Sequence, residues 1–124
     1  MSTMNNDTQR FVAVMIVFVL FVATYVAVMR DNIVQHEKAH EQIMKFFNCE
    51  EVVITYGFLS GQTRCVVRND AYSAATQLRE YELHAINEIV GYNLTGVITT
   101  IFVVGLFVCE AIVFLFFELN NKKR

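Results

Sequence analysis

His36, Glu37 and His40 stand in the stretch HEKAH, where two imidazoles lie four residues apart with a carboxylate directly after the first. On an α-helix, positions i and i+4 lie one turn above each other on one face, so both rings can reach a single cation. The Glu after the first His then lies beside the metal, where it can take a proton from bound water. A catalytic zinc site takes three protein ligands and keeps a fourth position open, and a carboxylate from a separate helix is a common third ligand. The stretch HAINEIVGY, residues 84 to 92, supplies such a candidate in Glu88. The bland reading makes His36 and His40 polar positions on a juxtamembrane helix and Glu88 a solvated helix charge. Three fixed letters also occur by accident, so the rest of the chain has to support the pattern.

The elements that must position these residues are set by two apolar runs. Composition is 55% hydrophobic with 11 Phe and no Pro or Trp, and mean hydropathy is +0.40. FVAVMIVFVLFVATYVAVM, residues 11 to 29, has no charge; its 19 residues cover roughly 28 Å at about 1.5 Å each, the thickness of a hydrocarbon core. The second run, residues 94 to 119, is apolar on every face apart from Glu110 and the terminal Glu118. Both are read as membrane spans. The first exceeds the apolar length of a signal peptide and no A-x-A site precedes Arg30, so an uncleaved anchor is expected.

Flanking charge gives the orientation. Lys122, Lys123 and Arg124 follow the second run, whereas residues 30 to 93 hold six Lys/Arg against nine Asp/Glu. The positive-inside rule then places both termini, residues 1 to 10 and 120 to 124, in the cytoplasm and residues 30 to 93 outside. In that compartment Cys49 and Cys65, 16 apart, are candidates for a disulfide, the alternative being two free thiols. A formal net charge of −2 with no basic patch excludes a nucleic-acid partner. The partners expected are the bilayer, a peptide or protein substrate near it, and further copies of the chain or a larger membrane complex.

Within the outer segment, Ile33, His36, His40, Ile43, Met44 and Phe47 recur at three- and four-residue steps and predict a helix over 31–47, with both histidines on its apolar face. The β-branched runs VVIT and CVV, with Gly57 and Gly61 between them, predict a β-hairpin over 51–68. A second helix is expected over 70–92, capped by Asn69 or Asp70, with a face of Leu78, Tyr81, Ala85, Glu88 and Tyr92. His36 is 7 residues beyond the first apolar run and Glu88 is 6 before the second. If both helices continue out of the bilayer, each residue stands roughly 10 Å above the same face. Topology alone would bring them level. The fold class expected is α+β: two antiparallel transmembrane helices extended into a small outer domain of two helices and a hairpin.

HEKAH followed by AINEIVGY resembles the gluzincins, the thermolysin-like clan of zinc metallopeptidases. The resemblance implies His36 and His40 as ligand histidines, Glu37 as general base, Glu88 as the third ligand and Zn2+ as the metal. It covers only the two short motifs. Tyr92 stands four beyond Glu88, where the clan often has an Asp that orients a ligand histidine. His84, one turn before Glu88, is read as a transition-state donor or a surface residue, and less readily as a ligand. Tyr56, Tyr81 and Tyr92 each offer a hydroxyl to an oxyanion, or pack. Glu110 is expected to face a neighbouring helix or subunit, be protonated, or be hydrated near the interface. The function expected is a membrane-anchored zinc metallopeptidase. Its alternatives are a non-enzymatic membrane subunit or viral assembly protein, and a small channel in which Glu110 would matter.

Overall fold

The computed structural model describes residues 6–68 and 73–121. The chain order is α1 (Asn6–Phe46), β1 (Cys49–Tyr56), β2 (Gly61–Arg68) and α2 (Ala74–Asn121). Both helices are long and apolar enough to cross a membrane. Each expected span and its neighbouring outer helix form one uninterrupted element: no proline interrupts either junction, and the helical ladder runs through Asp31 and Asn93.

Helix α1 stops where Asn48 adopts the left-handed conformation, φ 62°, which Asn tolerates better than most residues. Phe47 and Asn48 donate backbone bonds to the carbonyls of Ile43 and Lys45, and β1 begins at Cys49, two residues before the expected strand. The start of α2 is set by Ser73: its hydroxyl accepts from the Thr76 amide at 3.2 Å and its carbonyl from Gln77 at 3.0 Å. The expected caps, Asn69 and Asp70, lie outside the described residues, as do residues 1–5 and the basic tail 122–124.

The chain forms two compact units. The first takes the residues up to Val26 and from Ile98 onward. There Phe21 and Tyr25 meet Phe102 edge to face at 6.2 and 5.4 Å, and the Tyr25 hydroxyl lies 3.1 Å from Thr99 Oγ1. Gly105 lets Phe21 approach: a Cβ there would stand 3.2 Å from the ring. Arg10 lies over the Phe114 ring at 4.0 Å. These pairings run antiparallel. Glu110 is half-buried and Cys109 carries a free thiol.

The second unit is Ala27–Val97. Its antiparallel hairpin closes through the Gly57 amide on the Ser60 carbonyl at 2.8 Å. Cys49 and Cys65 are disulfide-bonded across the two strands. The ladder pairs Cys49 with Arg68, Glu51 with Val67 and Val52 with Cys65, so it is irregular at its open end. Strict alternation after Gly61, Thr63 and Cys65 would leave Arg68 on the outer side; the irregularity turns it inward.

The buried residues of this unit are unusual. Met29, Phe47 and Cys49 are joined by Glu37, His40 and Glu80. Among the described residues, half of the buried ones are polar. The expected face of the second helix is therefore corrected: Leu78, Tyr81 and Tyr92 are exposed, and α2 turns Glu80, His84, Asn87, Glu88 and Gly91 inward. The inward stripe has partners: His84 and Glu88 meet His40, Asn87 meets the His36 carbonyl, and Glu80 meets Arg68.

Candidate metal centre

Three side chains from the two helices converge. His40 Nε2 lies 3.1 Å from His36 Nε2 and 3.1 Å from Glu88 Oε1, and His36 Nε2 lies 3.6 Å from the same oxygen. His36 and His40 come from consecutive turns of α1, their rings edge to face at 4.6 Å. Glu88 comes from α2, where Asn87, the residue before it, donates to the His36 carbonyl at 3.4 Å. Gly91 makes room: a Cβ there would fall 2.6 Å from His36 Nδ1.

The spacing suits a small cation. Ligand atoms held tetrahedrally at about 2.0–2.1 Å from a metal stand about 3.3 Å from each other, and the three observed edges bracket that value. The group His36, His40 and Glu88 could hold a metal ion. Burial, then His36 and His84, push the His40 pKa below its usual value, against the pull of Glu88. The shift favours the neutral imidazole, the form that ligates. The Glu88 side chain is 47% exposed, which leaves one side of the group open to solvent. A cleft of about 340 Å³, lined by His36, Glu37, Gly61, Glu88 and Tyr92 among others, opens there.

Glu37 is buried beside this cleft, on α1 against β2. Its Oε2 accepts from the Thr63 hydroxyl at 2.6 Å. Its Oε1 approaches Gly61, where a Cβ would come within 2.7 Å of it, so only glycine fits opposite the carboxylate. Glu37 lines a second cleft too, of about 320 Å³, which His40, Thr63, His84 and Glu88 also line. Glu37 and Glu88 therefore border both openings, His36 the first and His40 the second.

The other singled-out residues divide. His84 sits against His40 rather than at the surface, with Nδ1 to Nδ1 at 2.6 Å. Tyr92 borders the first cleft but is 74% exposed, Tyr81 borders neither cleft, and Tyr56 lines a small recess near the hairpin turn. Sequence reasoning missed Glu80, Arg68, Thr63, Gly61 and Gly91 as parts of the site. One signal was present: Glu80, His84 and Glu88 recur every four residues, a polar stripe aimed at one helix face. Arg68 had no such signal, because its direction depends on the ladder irregularity.

Compared with known protein families, characterised proteins and solved structures, the chain matches none. The donor geometry carries the functional reading.

Proposed function

We propose that this chain is a membrane-anchored zinc metallopeptidase whose site is built from His36, His40 and Glu88, with Glu37 as general base. The observation that carries it is the convergence of two imidazoles and a carboxylate from separate helices within 3.6 Å of one another. The two-nitrogen, one-carboxylate donor set suits Zn2+ and leaves one position open. When bound, the ion supplies Lewis acidity to a water and to a peptide carbonyl.

The chain's own residues do the rest. Glu37 takes the proton of the attacking water on Oε1, since Oε2 is held by Thr63, and passes it to the leaving amine. Thr63 fixes the rotamer of that carboxylate. Strand β2 pairs with β1 on one side, its other edge has no strand partner among the described residues and could take an extended substrate backbone, and Gly61 to Thr63 border the second cleft. The two long apolar helices anchor the chain in the bilayer, with both termini cytoplasmic and residues 30–93 outside, which favours peptides presented close to the membrane.

A second reading, a membrane subunit with a structural metal, is favoured by the burial of Glu37 and by the exposed apolar side chains Ile86, Ile89 and Val90 on α2, which suit a protein partner. One comparison separates the two. The purified full chain in detergent micelles is expected to carry one zinc and to cleave unstructured peptides. Glu37→Gln should keep the zinc and lose about 10²- to 10⁴-fold in turnover. Equal turnover by Glu37→Gln removes the base assignment; zinc without cleavage leaves the structural reading; no zinc in the unaltered chain ends both.

A further inference from the structure

The three histidines of this chain play different parts. His36 and His40 turn Nε2 toward Glu88, whereas His84 turns Nδ1 toward the other nitrogen of His40, 2.6 Å away, with the two rings stacked 4.8 Å apart. The chemistry of a neutral imidazole then constrains the row. If His40 Nε2 offers its lone pair to a cation, the ring proton is on Nδ1, and that N–H needs an acceptor. Among the described residues the acceptor is the lone pair of His84 Nδ1.

His84 must in turn carry its proton on Nε2. This atom is buried, has no hydrogen-bond partner among the described residues, and stands 3.6 Å from Glu80 Oε1. Glu80 is buried as well, and both of its oxygens are gripped by the Arg68 guanidinium, at 2.6 and 2.9 Å. Arg68, Glu80, His84 and His40 thus form a row from the end of β2 to the ligand group. A forked ion pair taken out of water is weak evidence for stability on its own, since apolar residues of similar size often do as well. Aimed at His84, it has another use: its negative end favours the Nε2–H tautomer, which leaves Nδ1 free to accept.

We propose that His84, backed by Glu80 and Arg68, is the positioning residue of the metal centre: it accepts the Nδ1 proton of His40 and fixes the tautomer and ring orientation that present His40 Nε2 to a divalent cation. This rests on the metal reading of His36, His40 and Glu88. It also replaces what the resemblance would supply four residues beyond Glu88, where Tyr92 is turned out to solvent. Support for the ligand histidine comes from one turn before Glu88 instead.

The test is metal affinity. The full chain, with its disulfide intact, is purified in detergent micelles, stripped with a chelator and titrated with Co2+ and then Zn2+. The unaltered chain is expected to bind one ion per chain, and His84→Leu to bind one ion 10- to 100-fold more weakly with the same Co2+ absorption spectrum. His84→Asn, whose side-chain oxygen can stand where Nδ1 stood, should recover most of that affinity. Glu80→Gln should lose less than His84→Leu, and guards against the case in which the leucine variant does not fold. Unchanged affinity in both His84→Leu and Glu80→Gln would overturn the positioning role and leave the metal reading standing. A changed Co2+ spectrum, or binding lost in His84→Leu as completely as in His40→Ala, would make His84 a ligand and overturn it too. No binding by the unaltered chain would remove the metal reading and this role together.

Discussion

In the unit made of the chain up to Val26 and from Ile98, α1 and α2 meet through Phe21, Tyr25 and Phe102, with a hydroxyl pair at Tyr25 and Thr99. In Ala27–Val97 the same two helices meet through His36, His40, His84 and Glu88, while Ile86, Ile89 and Val90 of α2 are exposed. The first arrangement needs no special pairing, because aromatic contacts cost nothing to desolvate. In the second, each buried polar group left without a partner costs about 1–3 kcal/mol, and His84 Nε2 is such an atom among the described residues. Aromatic contact tolerates small changes; a paired polar centre does not. The polar unit is also too small to rely on an apolar core, so a disulfide, an ion pair and a metal are the devices that would hold it.

The largest effect expected from this contrast is loss of the disulfide. A closed loop of about 15 residues is worth about 3 kcal/mol, so Cys49→Ser with Cys65→Ser should destabilise Ala27–Val97 by about that much. Hydrogen exchange by mass spectrometry should show faster exchange in the hairpin, with residues 11–26 and 98–119 unchanged. Equal acceleration in both units would break the comparison.

Glycines offer a sharper version. A Cβ at Gly91 would meet His36 Nδ1 and Cε1 at 2.6 and 2.8 Å, whereas one at Gly96 meets nothing within 4 Å. Gly91→Ala should cost about 1–3 kcal/mol through overpacking and weaken metal binding. Gly96→Ala, five residues further along α2, should raise stability by about 0.5–1 kcal/mol. Thermal melts and zinc titration of the two variants check both signs.

A smaller effect is expected from acid. The metal-free fold holds the His40 pKa down by burial and by its neighbours His36 and His84. Between the depressed folded value and the unfolded one near 6.5, the unfolded chain binds more protons, so stability is full above about pH 6.5 and falls as pH drops through that window. His40→Gln should flatten that slope in the metal-free protein, measured by denaturant melts at stepped pH; an unchanged slope would show that His40 does not carry it.

The smallest effect belongs to the apolar unit. Tyr25→Phe removes the hydroxyl contact to Thr99 and should cost about 0.6 kcal/mol, as for polar contacts between membrane helices. Metal affinity should not change. A large change in zinc binding from Tyr25→Phe would mean that the two units do not respond independently.

Much of the chain was legible from one dimension. Apolar length gives the two long helices, β-branched runs and glycines give the hairpin, and four-residue spacing puts His36 and His40 on one face. These rest on period and composition, which are local. The face of α2 was not legible by the same rule: Leu78, Tyr81 and Tyr92 read as a buried stripe and lie outside, because the choice depended on what α1 offered across the gap. Glu88 was legible from its stretch and its height on the second helix, and the structure brings it to His36 and His40. Tertiary structure alone decided that Thr63 holds Glu37 and that a shift in the ladder turns Arg68 toward Glu80 and so toward His84. Sequence fixes which residues share an element face, through helical and strand periodicity. Which face turns inward, and which distant side chain meets it, is settled only when the polar groups of separate elements must satisfy each other out of water.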